Sequence, residues 1–535
     1  MARTLRSDFD DNYVFICTNK KCAVFVSILG ICLAAGGIIG LIVSPIASKQ
    51  QVKSRIPLVE NSFAATKWID PPYIITMQFW IFNTTNSDEI IRGMNKPAVF
   101  QKGPYTYKQK NQKNQVVYGT HDNVSYIETN TFYFDQNRSC SDCFETDIFT
   151  VPNALYTSIA QMFRFKDEEI KRAINLGLLL LSERPFVTKT VTELLFGGYE
   201  DEILTVVNSL KRWVPKLEEL KMPKVFQYFP KNNTNDGRYE ICVGSTDVRK
   251  VGRILSWNGM GSLTWWNGTE ANKIEGTDAQ LFPPYIKRSD KLPIFVSDMC
   301  RSAYLTYKSD IHENGLQAYR FILPNELFNT SFPGNEGFCV KTDKYFPSQS
   351  DKEYSCLPPG FMNLSSCRGS PVLFSKPHFL GAAEEVIKSV DGINPSEDHE
   401  AIWDIQPTFG AAITVKTKFQ INVPIYPDPI FWSLKLVQPS IVPLFWLNAS
   451  AISDEGTKDY LYQNIVIFQT AGYAATFAVF MFGFFFLITV VACSCRHRLK
   501  AKGGWSTGER GQMNSALIEE TESPPSGNGW STRKV

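Results

Sequence analysis

Three textures of apolar and polar residues succeed one another along the chain. Two runs, AVFVSILGICLAAGGIIGLIV at 23–43 and AGYAATFAVFMFGFFFLITVVAC at 471–493, hold no charged residue. Each is long enough to cross roughly 30 Å of hydrocarbon as a helix. With their flanks they predict transmembrane helices over 23–46 and 465–495. Between Tyr73 and Phe134 aromatic and β-branched residues recur between turn signals, as in YIITMQFWIFNTTNSDE and VSYIETNTFYF, and the texture returns from Tyr239 to Phe282 and from Leu316 to Leu447. Such runs predict antiparallel strands. The third texture, over 153–222, is rich in Leu, Glu, Lys and Ala and predicts several short helices. The expected architecture is α+β: an ectodomain over 47–464, a sheet structure with a helical insertion, flanked by two transmembrane helices. Tails 1–22 and 496–535 complete the chain, the second with the composition of a disordered segment.

One stretch of the insertion breaks the amphipathic pattern. Before INLGLLLLSERPF (174–186), Asp167 suits a helix N-cap and Glu168 and Glu169 its first turn, while Pro185 stops it. On a 100° wheel Ile170, Ile174, Gly177, Leu178 and Leu181 form one stripe, the expected core face. Leu176, Leu179 and Leu180 lie opposite, among Glu169, Arg172 and Glu183. They face either a neighbouring helix of the insertion or a lipid or protein partner.

Charge orients the chain. Arg496, Arg498, Lys500 and Lys502 follow the second run, whereas Asp454, Glu455 and Asp459 precede it. Basic residues stay on the cytosolic side, so both termini are expected there and the ectodomain outside or in a lumen. N-x-S/T acceptors at Asn83, Asn123, Asn137, Asn232, Asn267, Asn329, Asn363 and Asn448 all fall between the runs, as in a glycosylated ectodomain. Seven cysteines, Cys140, Cys143, Cys242, Cys300, Cys339, Cys356 and Cys367, share that oxidising compartment, where disulfides are the default. Their odd number leaves at least one free or paired between chains. Cys17, Cys22, Cys493 and Cys495 sit at the cytosolic membrane boundary, where S-acylation is the expected chemistry.

Other functions find little support. A net charge of +2 gives no reason to expect nucleic acid. Cys140 and Cys143 have the spacing of a redox motif or half a zinc site, yet they follow a strand-like run into a polar loop and no second pair completes a zinc set. A structural disulfide is expected there, with no metal. His121, His312, His378, His399 and His497 lie scattered without nucleophile or metal spacing, so neither an enzyme nor a cofactor is expected. A channel has the same two-span topology, but the second run offers Thr476 and Thr489 amid VFMFGFFFL rather than a polar pore face. In the first run GGIIG sets Gly36 and Gly40 one turn apart, the spacing of a close helix contact and a route to a homo-oligomer.

The segments MQFWIFNTTNSDEIIRGMNKPAVFQKGPYTYK, IEGTDAQLFPP, DMCRSAYLTYKSDI, AYRFILPNELF, KPHFL, DGINPSEDHE, DIQPTFG and IVPLFWLN resemble, in order, the signature segments of the class B scavenger receptor family. That family includes a fatty-acid translocase, a high-density lipoprotein receptor, a lysosomal integral membrane protein and insect sensory neuron membrane proteins. The resemblance implies a distorted antiparallel β-barrel, an apical helical bundle over 153–222 and an apolar tunnel from apex toward bilayer. It implies a receptor for fatty acids, sterols, phospholipids or lipoprotein particles; the alternative is a protein ligand, for lysosomal cargo sorting or phagocytic recognition. Leu176, Leu179, Leu180 and Arg184 then become candidates for the apical surface where ligand enters.

The same resemblance implies the disulfides Cys300–Cys367 and Cys339–Cys356. Both partners of the family's third bridge are missing together, from TWWNGTEANKIEGTDA and NEGFC. The family gives no guide for Cys140, Cys143 and Cys242; a Cys140–Cys143 bridge with Cys242 free is the arrangement expected. Departures bear on function. Where the fatty-acid translocase carries an apical lysine cluster, LSERPFV has Arg184 as its only base, and 153–222 lack the histidine of the lysosomal member. QMNSALIEE lacks an acidic dileucine signal, which favours the plasma membrane over the lysosome.

Overall fold

The computed structural model describes residues 20–71, 73, 75–210, 224–313, 315–349 and 355–503. Both tails, with Cys17, and positions 211–223 of the insertion lie outside the described residues. The chain forms two compact units, one from its terminal helices (up to 47 and from 469) and one from 48–468.

Helices Lys20–Arg55 and Phe468–Gly503 hold the two charge-free runs, and each is long and apolar enough to cross a membrane. In their unit they pack antiparallel through glycines, since small residues let backbones approach where apolar burial gives no drive. A Cβ on Gly37 would lie 2.6 Å from the Phe480 backbone, and one on Gly483 2.3 Å from the Ala34 nitrogen. Gly40 meets Thr476, whereas Gly36 has nothing within 4 Å. Within one chain, Gly37 and Gly40 rather than Gly36 and Gly40 make the close contacts.

In residues 48–468 the strands are β1 (Ile75–Thr84), β2 (Val99–Tyr118), β3 (Asn123–Phe134), β4 (Ile148–Pro152), β5 (Phe186–Thr190), β6 (Thr234–Cys242), β7 (Ile254–Trp257), β8 (Leu292–Val296), β9 (Arg301–Glu313), β10 (Leu316–Ile322), β11 (Met362–Asn363), β12 (Leu373–Ser375), β13 (Ile402–Gln406), β14 (Ala411–Ile425) and β15 (Ser440–Ile452). Antiparallel pairing runs β7-β6-β3-β2-β1-β15-β14-β13-β10-β9-β8, with β12 on β14 and β11 on β12. β15, at the centre, is buried on both faces over Ser440–Leu447, so it reads as an unbroken apolar run. The sheet nearly closes into a barrel. Between edge strands β7 and β8, Ile254 N donates to Gly276 O and Phe295 N to Thr277 O. Only glycine fits at 276, where φ is +90° and a Cβ would lie 2.1 Å from the Pro293 carbonyl.

The insertion holds helices Ala154–Phe163, Glu168–Leu180, Val191–Leu194 and Glu202–Leu210. It also holds a strand that helix propensity did not announce: β5, beginning just after Pro185, pairs with β4. Leu155, Tyr156, Leu178, Phe186 and Leu204 pack with Phe431, Leu434 and Val437. The core stripe of Glu168–Leu180 is turned from the expected one. Leu178 is buried, and Ile174 and Leu181 pack beside it, but Ile170 is 42% exposed and Gly177 faces open space. Lys171 is buried in place of Ile170 because Asp428 neutralises it.

Disulfides join Cys140 to Cys143, Cys300 to Cys367 and Cys339 to Cys356. Cys242 is a buried free thiol, and Cys22, Cys32 and Cys495 are also free. Cys493 lies buried near the end of the second terminal helix.

Candidate functional site

Strand alternation decides what faces the barrel interior. Ile75 and Met77 of β1, Asn130 and Phe132 of β3, Ile413, Val415, Thr417 and Phe419 of β14, and Ala449 and Ala451 of β15 are every second residue, hence on one face. They enclose a chamber of about 300 Å³. A larger one, about 680 Å³, extends to Ala154, Phe226 and Tyr228 and shares Asn130, Phe229, Lys231, Asp236, Asp298 and Phe419 with the first. A third, about 160 Å³, lies among Arg55, Phe63, Trp68, Tyr460 and Leu461 and shares Tyr73, Gln280, Ala412 and Ser453 with the first. The first chamber therefore shares one wall with the second and another with the third.

The wall shared by the first and second chambers is polar. Lys231 pairs with Asp298, and the Arg368 guanidinium lies 3.6 Å from the same carboxylate. Burial pushes the Asp298 carboxyl up, but Lys231 and Arg368 outweigh it and hold it below the usual range. Asp236 accepts from the hydroxyls of Tyr239 (2.6 Å) and Ser297 (2.5 Å). Elsewhere in the first chamber Asp278 accepts from Tyr126 Oη (3.2 Å) and Gln280 N (3.1 Å), and burial raises it despite Lys113. Lys113 is buried against Glu128 at 2.9 Å and donates to Gln280 at 3.0 Å.

The residues singled out in the sequence lie elsewhere. Leu176, Leu179 and Leu180 are 57%, 43% and 76% exposed, and Arg184 is exposed beyond the same helix. None of the four lines the three chambers. The main chain of Trp432, itself 72% exposed, donates to Asn175 Oδ1 and brings an aromatic ring to this surface. Among the glycan acceptors, Asn137 and Asn267 are exposed, while the amides of Asn123 and Asn448 donate to Glu240 and Gln78 within the sheet. Cys140, Asp142 and Cys143 converge, but the two sulfurs are bonded to each other. His378 is buried and accepts from Asn394 N at Nδ1 (3.0 Å), which leaves Nε2 to donate to Gln101 Oε1 (2.9 Å). Burial, then the stacked His399, pushes it down to about 3, so it stays a neutral bracing group.

Sequence reasoning missed Lys231, Asp236, Asp278, Gln280 and Asp298 as lumen residues. A signal existed for three of them: IEGTDAQLFPP contains Asp278 and Gln280, and DMCRSAYLTYKSDI contains Asp298.

A nearly closed barrel with a chambered interior, carried between two apolar terminal helices, is the build of a two-pass membrane protein. The chain belongs to the CD36 family, whose model matches residues 28–494. It is 28% identical to scavenger receptor class B member 1 of Rattus norvegicus over 501 residues, 93% of this chain and 94% of that one. It is 32% identical to lysosome membrane protein 2 of Homo sapiens over 419 residues, 78% of this chain and 82% of that one. The protein is a membrane receptor of the class B scavenger receptor family.

Proposed function

We propose that this receptor takes lipid from particles or carriers at the ectodomain surface formed by the insertion and passes apolar cargo through the three chambers toward the bilayer. The row of chambers with common walls is the observation that carries this reading. Its upper end reaches Ala154, where the insertion begins; its lower end is lined by Arg55, which ends the first terminal helix, and by Tyr460 and Leu461, which precede the second apolar run. No catalyst is needed, because burial of each methylene stabilises the cargo by roughly 0.8 kcal/mol. Leu176, Leu179 and Leu180 are the docking face for the particle, and Arg184 borders it. Both termini are cytosolic, the ectodomain carries glycans on its acceptor asparagines, and the plasma membrane is the working site, supported by the basic residues after the second run and the lack of a dileucine signal.

The exposed leucines and Trp432 also suit a protein ligand, which makes cargo binding the second reading. Ala412→Phe, at the wall between the middle and lower chambers, separates the two. In cells expressing the full chain, with surface glycoform as the folding control, it should cut uptake of a fluorescent fatty acid or steryl ester severalfold while surface binding of particles persists. Uptake unchanged in a correctly matured variant counts against transfer through the chambers and leaves protein binding.

A further inference from the structure

At the wall between the upper and middle chambers, two cations face one carboxylate. Asp298 is paired with Lys231, and Arg368 stands 3.6 Å away. Arg368 is fixed: its guanidinium donates to the carbonyls of Ser297 (3.1 Å) and Asp298 (3.3 Å), and the Cys300–Cys367 disulfide ties its chain neighbour to the turn that follows Asp298. The neighbouring Asp236 accepts from the hydroxyls of Tyr239 and Ser297. The Lys231 ammonium also lies 5.8 Å from the centre of the Phe229 ring. With Arg368 beside it, Lys231 is therefore the cation that Asp298 can release without being left unpaired.

We infer that Lys231 is a head-group site inside the lumen. A long-chain acid moving from the upper to the middle chamber transfers Lys231 from Asp298 to its own carboxylate, while Arg368 keeps Asp298 paired. The ligand class is a single-chain lipid with an ionised carboxylate, its tail among Met77, Phe132, Ile413 and Val415. An ester of the same tail offers Lys231 no charge and meets the ion pair intact. Charge-assisted hydrogen bonds are about twice as strong as neutral ones, so the acid should bind roughly tenfold more tightly than its ester. The inference rests on the lumen being the lipid path.

The test uses the full chain in lipid nanodiscs, with palmitic acid carrying a photoreactive diazirine beside the head group, and its methyl ester. Wild-type protein should prefer the acid by roughly tenfold, Lys231→Gln should lower acid binding to the level of the ester without changing the ester, and Lys231→Arg should keep the preference. The acid probe should label Phe229 or Asn130. Equal binding of the two probes to wild type, or a preference that survives Lys231→Gln, overturns the head-group site and leaves the lipid path standing. Binding of neither probe to wild type overturns both. If Lys231→Gln does not mature, the labelling of wild type decides: cross-links confined to residues outside this wall overturn the site.

Discussion

The Lys171 ammonium donates to the carboxylate of Asp428, 257 positions away, and both side chains are buried. Asp428 also accepts from the Ile430 amide at 2.9 Å, so one carboxylate holds the Glu168–Leu180 helix to the loop that carries Trp432. A buried pair broken from one side leaves an uncompensated charge. Asp428→Asn should therefore destabilise the protein by about 3–5 kcal/mol, and replacing the pair together, as Lys171→Met with Asp428→Leu, should recover much of that loss. Thermal unfolding of the detergent-solubilised full chain measures both; equal melting of wild type and Asp428→Asn would dismiss the pair as a structural lock.

The outer face of the same helix should tolerate charge where the inner face does not. Leu178 is 4% exposed and Leu180 is 76% exposed. Leu178→Glu buries an unpaired carboxylate at a cost of several kcal/mol, enough to hold the protein in the endoplasmic reticulum. Leu180→Glu should acquire mature glycans and lose severalfold in lipid uptake. Mature protein with undiminished uptake would remove these leucines from the docking face.

Glu183 should make the insertion more stable in mild acid than at neutral pH. Burial first, then the Asp201 carboxylate, raises it to about 7, against the pull of Asn153 and Lys189. A carboxyl whose folded value exceeds its unfolded one, 4.5 here, holds its proton more tightly when folded. Stability consequently declines as pH rises from 4.5 through about 7 and is level above. Melting at pH values across this window should show the decline in wild type and a flatter profile in Glu183→Gln, with the variant the more stable at neutral pH. Parallel profiles would assign the pH dependence to other groups.

Gly37 and Gly36 offer a matched pair in the first span. A Cβ at Gly37 collides with the Phe480 backbone, while one at Gly36 meets open space. Gly37→Leu should force the spans apart and reduce mature protein severalfold, whereas Gly36→Leu should leave maturation near wild type. Immunoblots of glycoforms settle the matter, and equal maturation would speak against glycine-mediated packing of the spans.

Disulfides should rank by the chain they close. Cys300 and Cys367 are 67 positions apart and Cys339 and Cys356 only 17, so in the chain-entropy description paired replacement by serine costs about 4 kcal/mol for the first and about 3 kcal/mol for the second. The lower melting temperature should belong to Cys300→Ser with Cys367→Ser, which also frees Arg368. The reverse order would point to strain or residual structure rather than loop closure.

What the sequence determined by itself was what local chemistry can dictate. A charge-free run of membrane length is a property of consecutive residues, and so is the recurrence of aromatic and β-branched residues between turn signals that marks a strand; both were legible, as were the α+β class and the family, whose signature segments are contiguous. The face of the Glu168–Leu180 helix was not. Ile170 lies within the stripe and Lys171, one 100° step away, at its edge, and apolarity alone favours Ile170; Lys171 goes inside because Asp428, remote in sequence, is there to meet it. In the same way the glycine that meets Phe480 is Gly37 and not Gly36, and the lumen wall assembles Lys231, Asp298 and Arg368 from three separate stretches. Hydrophobic periodicity sums over neighbours in the chain, but the cost of burying a charge or a backbone contact depends on partners that only the folded barrel brings near.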